Sequence, residues 1–335
     1  MPFSVNKSNR IIVKLTMPTK LIKDAPTLFR LLNGVVCVFK PSGIPEGAVK
    51  YSLLTKLCNE LNQVECRPPK EIVTIAGDTT KEMRVTVSPS YADHPLVVGP
   101  RYQEKDFRCQ WPLPLGVHTS GVLLLGLNQG VRIVRALEHA HQIRTFHVTG
   151  QLGRATDTYF TDGKVVERSK FKHVSRERMD KLLASIQAAH QRTMFELSGV
   201  DIQSQDAYEL AVKGMIRPAD PNVPMIYGIK CVEFNPPDFT LEIHSTNESE
   251  IYLKKLINAI GIKLHTAAVC SGLRCIRHSY FTVQNALLRK HWTLQHVIDN
   301  LQENDKLIRA NPDRGNILLN KPQLPDPNDQ QTLIA

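Results

Sequence analysis

The run Pro112-Leu113-Pro114-Leu115-Gly116-Val117-His118-Thr119-Ser120-Gly121-Val122-Leu123-Leu124-Leu125-Gly126-Leu127 passes from a proline-punctuated segment into six apolar residues. Prolines 95, 100, 112 and 114 mark the segment before it as irregular, and 122–127 reads as a strand. Downstream, 129–140 has the spacing of a basic amphipathic helix carrying Arg132 and Arg135, and 145–152 alternates as a strand does. Upstream, 35–40 is a β-forming run closed by Pro41-Ser42-Gly43, followed by helical spacing over 49–61 and short strands at 72–75 and 83–87. Residues 67–70, with Pro68 and Pro69, read as a loop.

Further along, Ser175 is placed to cap a helix reaching Thr193, and a second helix over 205–215 stops before Pro218. Strands at 225–234 and 239–244 flank the turn Asn235-Pro236-Pro237-Asp238. A helix over 250–260 is expected to end at Gly261, with strands at 263–269 and 280–283 and helices over 284–291 and 294–308. Strands and helices mix without regular alternation. The expected fold class is therefore α+β, with helices around a central, largely antiparallel sheet.

The 335 residues suffice for one large domain or two modest ones, and the 42% apolar and 22% charged fractions are those of a globular chain. No run of eighteen apolar residues occurs, so no membrane span is expected. Seven cysteines without a Cys-x-x-Cys pair argue against a disulfide framework or zinc site and fit a reducing compartment. The net charge of +10 points to a polyanionic partner. Residues 1–23 carry Lys7, Arg10, Lys14, Lys20 and Lys23 with no acid, a pattern shared by mitochondrial presequences and basic arms.

Four blocks, in order, resemble the TruB family of pseudouridine synthases. They are Leu32 to Gly43 with its Lys-Pro-x-Gly ending, Ser120 to Gly126, Arg144-Thr145-Phe146 with Leu152 to Thr158 and Asp162-Gly163, and Ala207 to Gly214. His94 to Pro100 and Thr266 to Cys270 are similar to the family's animal mitochondrial branch. The resemblance implies a pseudouridine synthase catalytic-domain fold over 32–308 and a mitochondrially targeting role for the basic extension over 1–31, while the polar, proline-punctuated composition of 309–335 reads as a disordered tail. It implies no additional C-terminal RNA-binding domain, no metal or other cofactor, and action on RNA in the mitochondrial matrix. It also implies partners in mitochondrial ribosome assembly or RNA processing.

The family's reaction detaches uracil from ribose, turns the base and rejoins it through carbon. It needs a carboxylate, as nucleophile at the anomeric carbon or as base toward the neighbouring ribose proton. By resemblance that carboxylate is an Asp at the position of Gly116. The family's stacking Tyr corresponds to Phe146, which has no hydroxyl, and the Arg that pairs with the Asp corresponds to Lys254, which lacks the bidentate fork. These three departures predict loss of catalysis. Asp106 and Glu104 read as solvated loop acids, and His118 as a polar residue lining an emptied cleft.

The residues expected to contact RNA are Lys40, Arg144, Arg154, Tyr208, Arg274 and Arg277. Arg132, Arg135, Lys164, Arg168, Lys170 and Lys172 add positive charge nearby. The leading expectation is an RNA-binding, catalytically impaired homologue acting in mitochondrial RNA folding, ribosome assembly or transcript handling. The alternatives are an active synthase with a non-standard site, and a protein-interaction scaffold that does not bind RNA.

Overall fold

The structure, a computed structural model, describes residues 24–64, 71–77, 84–91, 95–197, 199–201, 203–213 and 223–310. The elements in chain order are α1 (Ala25–Leu31), β1 (Gly34–Lys40), α2 (Glu46–Gln63), β2 (Glu71–Ala76), β3 (Arg84–Pro89), α3 (Pro95–Val98), β4 (Cys109–Gln110), β5 (Thr119–Leu127), α4 (Gly130–His139), β6 (Arg144–Leu152) and β7 (Arg154–Thr156). They continue with β8 (Val165–Arg168), α5 (Arg176–Leu197), α6 (Gln205–Lys213), β9 (Met225–Asn235), β10 (Asp238–Thr246), α7 (Glu250–Lys263), β11 (Ala268–His278), β12 (Phe281–Thr282) and α8 (Leu294–Ala310). The main sheet has the order β1-β5-β11-β6-β10-β9, with β4 on β5 and β12 on β11. Every pairing in it is antiparallel except β5 with β11, so the fold is α+β with the expected, largely antiparallel sheet.

Alternation decides the faces. In β6, Phe146, Val148 and Leu152 are buried while His147, Thr149 and Gln151 are half-exposed, so one face is packed and the other is open. On the packed side, Leu253, Ile257 and Ile260 of α7, Val134 and Leu137 of α4, and Met179 and Leu183 of α5 are all buried. Gly121 is where β11 runs alongside β5. Its φ is +117°, and a Cβ there would come within 2.8 Å of the Cys275 backbone.

β1 forms one edge of the sheet, and its free backbone groups must find partners. Cys37 N–H donates to Asn300 Oδ1 at 2.9 Å, and Asn304 Nδ2 donates to Val35 O at 2.9 Å. Leu287 N–H donates to Cys37 O, and Phe39 N–H donates to Leu287 O, each at 2.9 Å. This edge closure corrects the helix expected over 284–291. Leu287 gives both its backbone groups to β1, which leaves only two short 3-10 turns, Val283–Asn285 and Arg289–His291.

Three other expectations shift. α7 continues through Gly261 to Lys263, because Gly261 faces Ala268, whose N and Cβ would lie 2.6 Å from an added Cβ. The strand expected over 263–269 accordingly starts at Ala268. The packed body begins with α1, whose Ala25 and Leu28 are fully buried, so 24–31 joins the domain rather than the extension. The loop at 67–70, the remaining extension over 1–23 and the tail over 311–335 lie outside the described residues. No helix among the described residues is long and apolar enough to cross a membrane.

Removing the asparagine that serves the β1 edge should register in stability. Asn300→Ala leaves the Cys37 N–H buried without a partner and is expected to cost about 1–3 kcal/mol in a urea titration. A midpoint equal to that of the unaltered protein would contradict this account of the edge.

Candidate active site

Gly116 lies in the loop that feeds β5, at φ +89°. The loop is gripped from the β1 side by the Lys40-Pro41-Ser42-Gly43 turn. Lys40 is fully buried, and its Nζ donates to Thr119 O at 2.7 Å, Val117 O at 3.2 Å and Pro41 O at 3.3 Å. Ser42 Oγ donates to His118 O at 2.7 Å, and Gly43 N–H to Val117 O at 2.8 Å. The buried Glu46, first residue of α2, accepts the N–H groups of Leu115 and Gly116, both at 2.7 Å on Oε1. Burial pulls the Lys40 ammonium below the usual lysine range, and the charges of Glu46 and Glu250 work against that pull.

Glu250 approaches the same loop from the other side. It opens α7, behind the N-cap Ser249, whose Oγ accepts Tyr252 N–H. Glu250 Oε2 accepts His118 N–H at 2.9 Å and Thr119 N–H at 3.3 Å. Its Oε1 takes Lys254 Nζ at 2.6 Å, one helical turn along. A Cβ built on Gly116 would overlap Glu250 Oε2 and come within 2.7 Å of the Glu250 Cβ and Cδ. The expectation that the pocket lacks a carboxylate is thereby corrected. An acid reaches the space beside Gly116 from a segment 132 residues beyond His118.

Arg144 ties the two sides together. Its guanidinium forms a buried ion pair with Glu248 and donates to Glu248 O at 3.0 Å and to Pro114 O at 3.2 Å. The guanidinium therefore bridges the residues just before Gly116 and just before Glu250. It also lies 5.5 Å from the centre of the Phe146 ring.

Phe146, set above against the family's stacking Tyr, is only 2% exposed and joins the core, which corrects that correspondence to a packing role. Lys40 and Arg144 are corrected in the same way. Both were expected on RNA, and both are buried holders of the loop. Gly116 and Lys254 do meet at one place, through Glu250. Glu104 and Asp106 are engaged elsewhere: Glu104 accepts from Thr55 on α2, and Asp106 caps its own 3-10 turn through Gln103 N–H.

The mouth of the site is formed by the loop between β7 and β8. Phe160 packs against His118 with ring centroids 4.6 Å apart, and Lys254 Nζ sits 4.8 Å from the centre of the Phe160 ring. His118 Nδ1 lies 3.8 Å from Asp162 Oδ2, and these two side chains are 32% and 53% exposed, against 12% for Glu250. The site thus opens to solvent through His118 and Asp162, with the carboxylate set behind them.

The open sheet face leads away from this mouth. Arg274 is exposed, pairs in register with Ser120 and lies 5.7 Å from the centre of the Phe39 ring. Across the sheet its neighbour His147 opposes Glu242, which also holds Lys230 at 3.1 Å and His244 at 3.0 Å. Partial burial pushes the Glu242 carboxyl up, but Lys230, His244 and His147 outweigh it and hold the group below the usual carboxylate range. Arg277 is exposed nearby on β11, Tyr208 is exposed on α6, and Arg154 is half-buried. Arg132, Arg135, Lys164, Arg168, Lys170 and Lys172 are all exposed.

The comparisons with known proteins agree on one family. A model of the "TruB family pseudouridylate synthase (N terminal domain)" matches residues 115–251, a span that includes both Gly116 and Glu250. The chain is 38% identical to "Pseudouridylate synthase TRUB2, mitochondrial" of Xenopus tropicalis over 87% of this chain and 92% of that one. It therefore belongs to the TruB family of pseudouridine synthases. Among its relatives are also the Homo sapiens "Pseudouridylate synthase TRUB2, mitochondrial", 35% identical over 88% of this chain and 91% of that one. "Pseudouridylate synthase TRUB1" of Homo sapiens is 25% identical over 63% of this chain and 58% of that one. The chain is thus a homologue of the mitochondrial members.

Lys40 offers a test of the loop's construction. Lys40→Met removes a charged donor from three carbonyls and is expected to lower stability by about 1.5–3 kcal/mol in chemical denaturation. A value within a few tenths of the unaltered protein would refute the clamp.

Proposed function

We propose that this chain is an RNA-directed pseudouridine synthase of mitochondria with a non-standard active site, isomerising uridine in mitochondrial RNA. The observation that carries the reading is the Glu250–Lys254 pair against Gly116, set behind the more exposed His118 and Asp162. The reading requires an acid held by a cation beside Gly116, and this pair supports it. The mitochondrial setting draws support from the names of the similar relatives.

RNA would run over the open face of β11 and around the β7–β8 hairpin. Exposed Arg274 and Arg277 on the one, and Lys164 and Arg168 on the other, offer phosphate contacts on either side of the mouth. Tyr208 and Arg154 remain candidates for contact at the periphery. Ribosome-assembly or RNA-processing proteins are proposed as partners on the same footing.

A second reading, an RNA-binding homologue without isomerase activity, rests on Phe146. Its phenyl ring is buried and has no hydroxyl to exchange a proton. Purified full-length protein incubated with uridine-containing mitochondrial transcripts separates the readings, with pseudouridine read by mass spectrometry and affinity measured against salt. Pseudouridine formation is expected. Arg274→Ala and Arg277→Ala are each expected to weaken binding and to reduce the slope of log affinity against log salt by about one. Salt-dependent binding without any pseudouridine would favour the second reading, and negligible binding at low salt a protein scaffold.

A further inference from the structure

We infer that Glu250 is the catalytic carboxylate of this chain, transposed from the Gly116 loop to the first turn of α7, with Lys254 as its positioning partner. This rests on the synthase reading above and names the residue that performs the chemistry.

Three independent observations converge on it. The first is volume: a side chain at 116 and the carboxylate of Glu250 compete for one space, so the two sites accommodate one acid between them. The second is orientation. Glu250 is fixed through both oxygens, Oε2 by the N–H groups of His118 and Thr119 and Oε1 by Lys254, so the carboxylate is presented in one pose. The third is the frame that delivers it. Arg144 holds Pro114 ahead of β5 and Glu248 ahead of α7, which sets the reach from α7 to the loop without using the Glu250 side chain. Lys254 also packs over Phe160, so the cation that holds the acid is itself seated on the wall of the mouth.

The chemistry balances within the substrate. A Glu250 oxygen attacks C1′ of the ribose as the C1′–N1 bond breaks, and the bonding pair leaves on uracil N1. After the base turns, C5 supplies the pair that bonds to C1′ while the carboxylate–C1′ bond breaks and returns its pair to Glu250. The proton on C5 is lost to solvent and one is gained at N1, so the product is an isomer and Glu250 ends as it began. The reach from helix to loop also accounts for Lys at 254. An Arg fork would address both carboxylate oxygens, whereas here one oxygen is already held by the backbone of the loop, and a single ammonium serves the other.

The test uses full-length protein with five variants. Glu250→Gln keeps the shape and the backbone hydrogen bonds. It is expected to lower the single-turnover rate by at least about a hundred-fold, with RNA affinity unchanged. Glu250→Gln combined with Lys254→Met gives the same loss without leaving a buried ammonium unpaired, and covers the case in which the single variant misfolds. Gly116→Asp is expected to destabilise the unaltered protein more than it destabilises Glu250→Ala, because the second substitution vacates the shared space. The Gly116→Asp/Glu250→Ala protein should regain part of the rate lost in Glu250→Ala. An active protein whose rate survives Glu250→Gln would overturn the inference and leave the synthase reading intact. If the unaltered protein forms no pseudouridine, the synthase reading fails. The shared location is then judged on stability alone, where additive effects of Gly116→Asp and Glu250→Ala overturn it.

Discussion

The structure depends on a buried ammonium. Lys40, at the end of the edge strand β1, gives its charge to the carbonyls of Val117 and Thr119 and so pins the loop that carries Gly116. A lysine in the interior is unfavourable unless its protons are all used and opposite charge stands near. Here the three donors meet three carbonyls, and Glu46 and Glu250 flank the site. Glu46 engages the loop's N–H groups while Lys40 engages its carbonyls, so the backbone of an irregular segment is satisfied from both ends. That is what allows a non-repetitive loop to be held in one arrangement.

The same logic extends outward. The edge of β1 opposite β5 is closed by Asn300, Asn304 and Leu287, so the strand that presents Lys40 is fixed along its length. Arg144, buried and paired with Glu248, couples the loop to the start of α7. The residues around Gly116 therefore come from β1, α2, the β5 loop, β6, the β7–β8 loop and α7, and most of them are buried. Surface charge at Arg274, Arg277, Lys164 and Arg168 is the part suited to phosphates, where solvent-exposed cations exchange counterions for a polyanion.

Moving an acid from a loop to a helix start changes its company. A residue at the first position of α7 lies at the helix start, and its partner one turn along sits at the natural i,i+4 spacing. The loop, relieved of a side chain, adopts a positive φ that glycine takes without strain. Each change at Gly116, Glu250 and Lys254 is intelligible in the presence of the other two.

The sequence by itself determined the local elements and the family. Period-two and period-3.6 patterns placed the strands at 35–40, 122–127 and 145–152 and the helix at 294–308, and Ser175 marked the start of α5, because backbone sterics and amphipathicity act over a few residues. The blocks from Leu32 to Gly214 were legible for the same reason. Tertiary structure alone decided what Glu250 is for. Read locally, Ser249-Glu250 with Lys254 is an ordinary helix start with a solvent-facing ion pair, and no spacing rule links it to a glycine more than a hundred residues earlier. It likewise decided that Lys40 and Arg144 are buried and that Leu287 bonds to β1 instead of continuing a helix. A charge is given its role by the groups that surround it in space, and those are brought together only when the sheet forms.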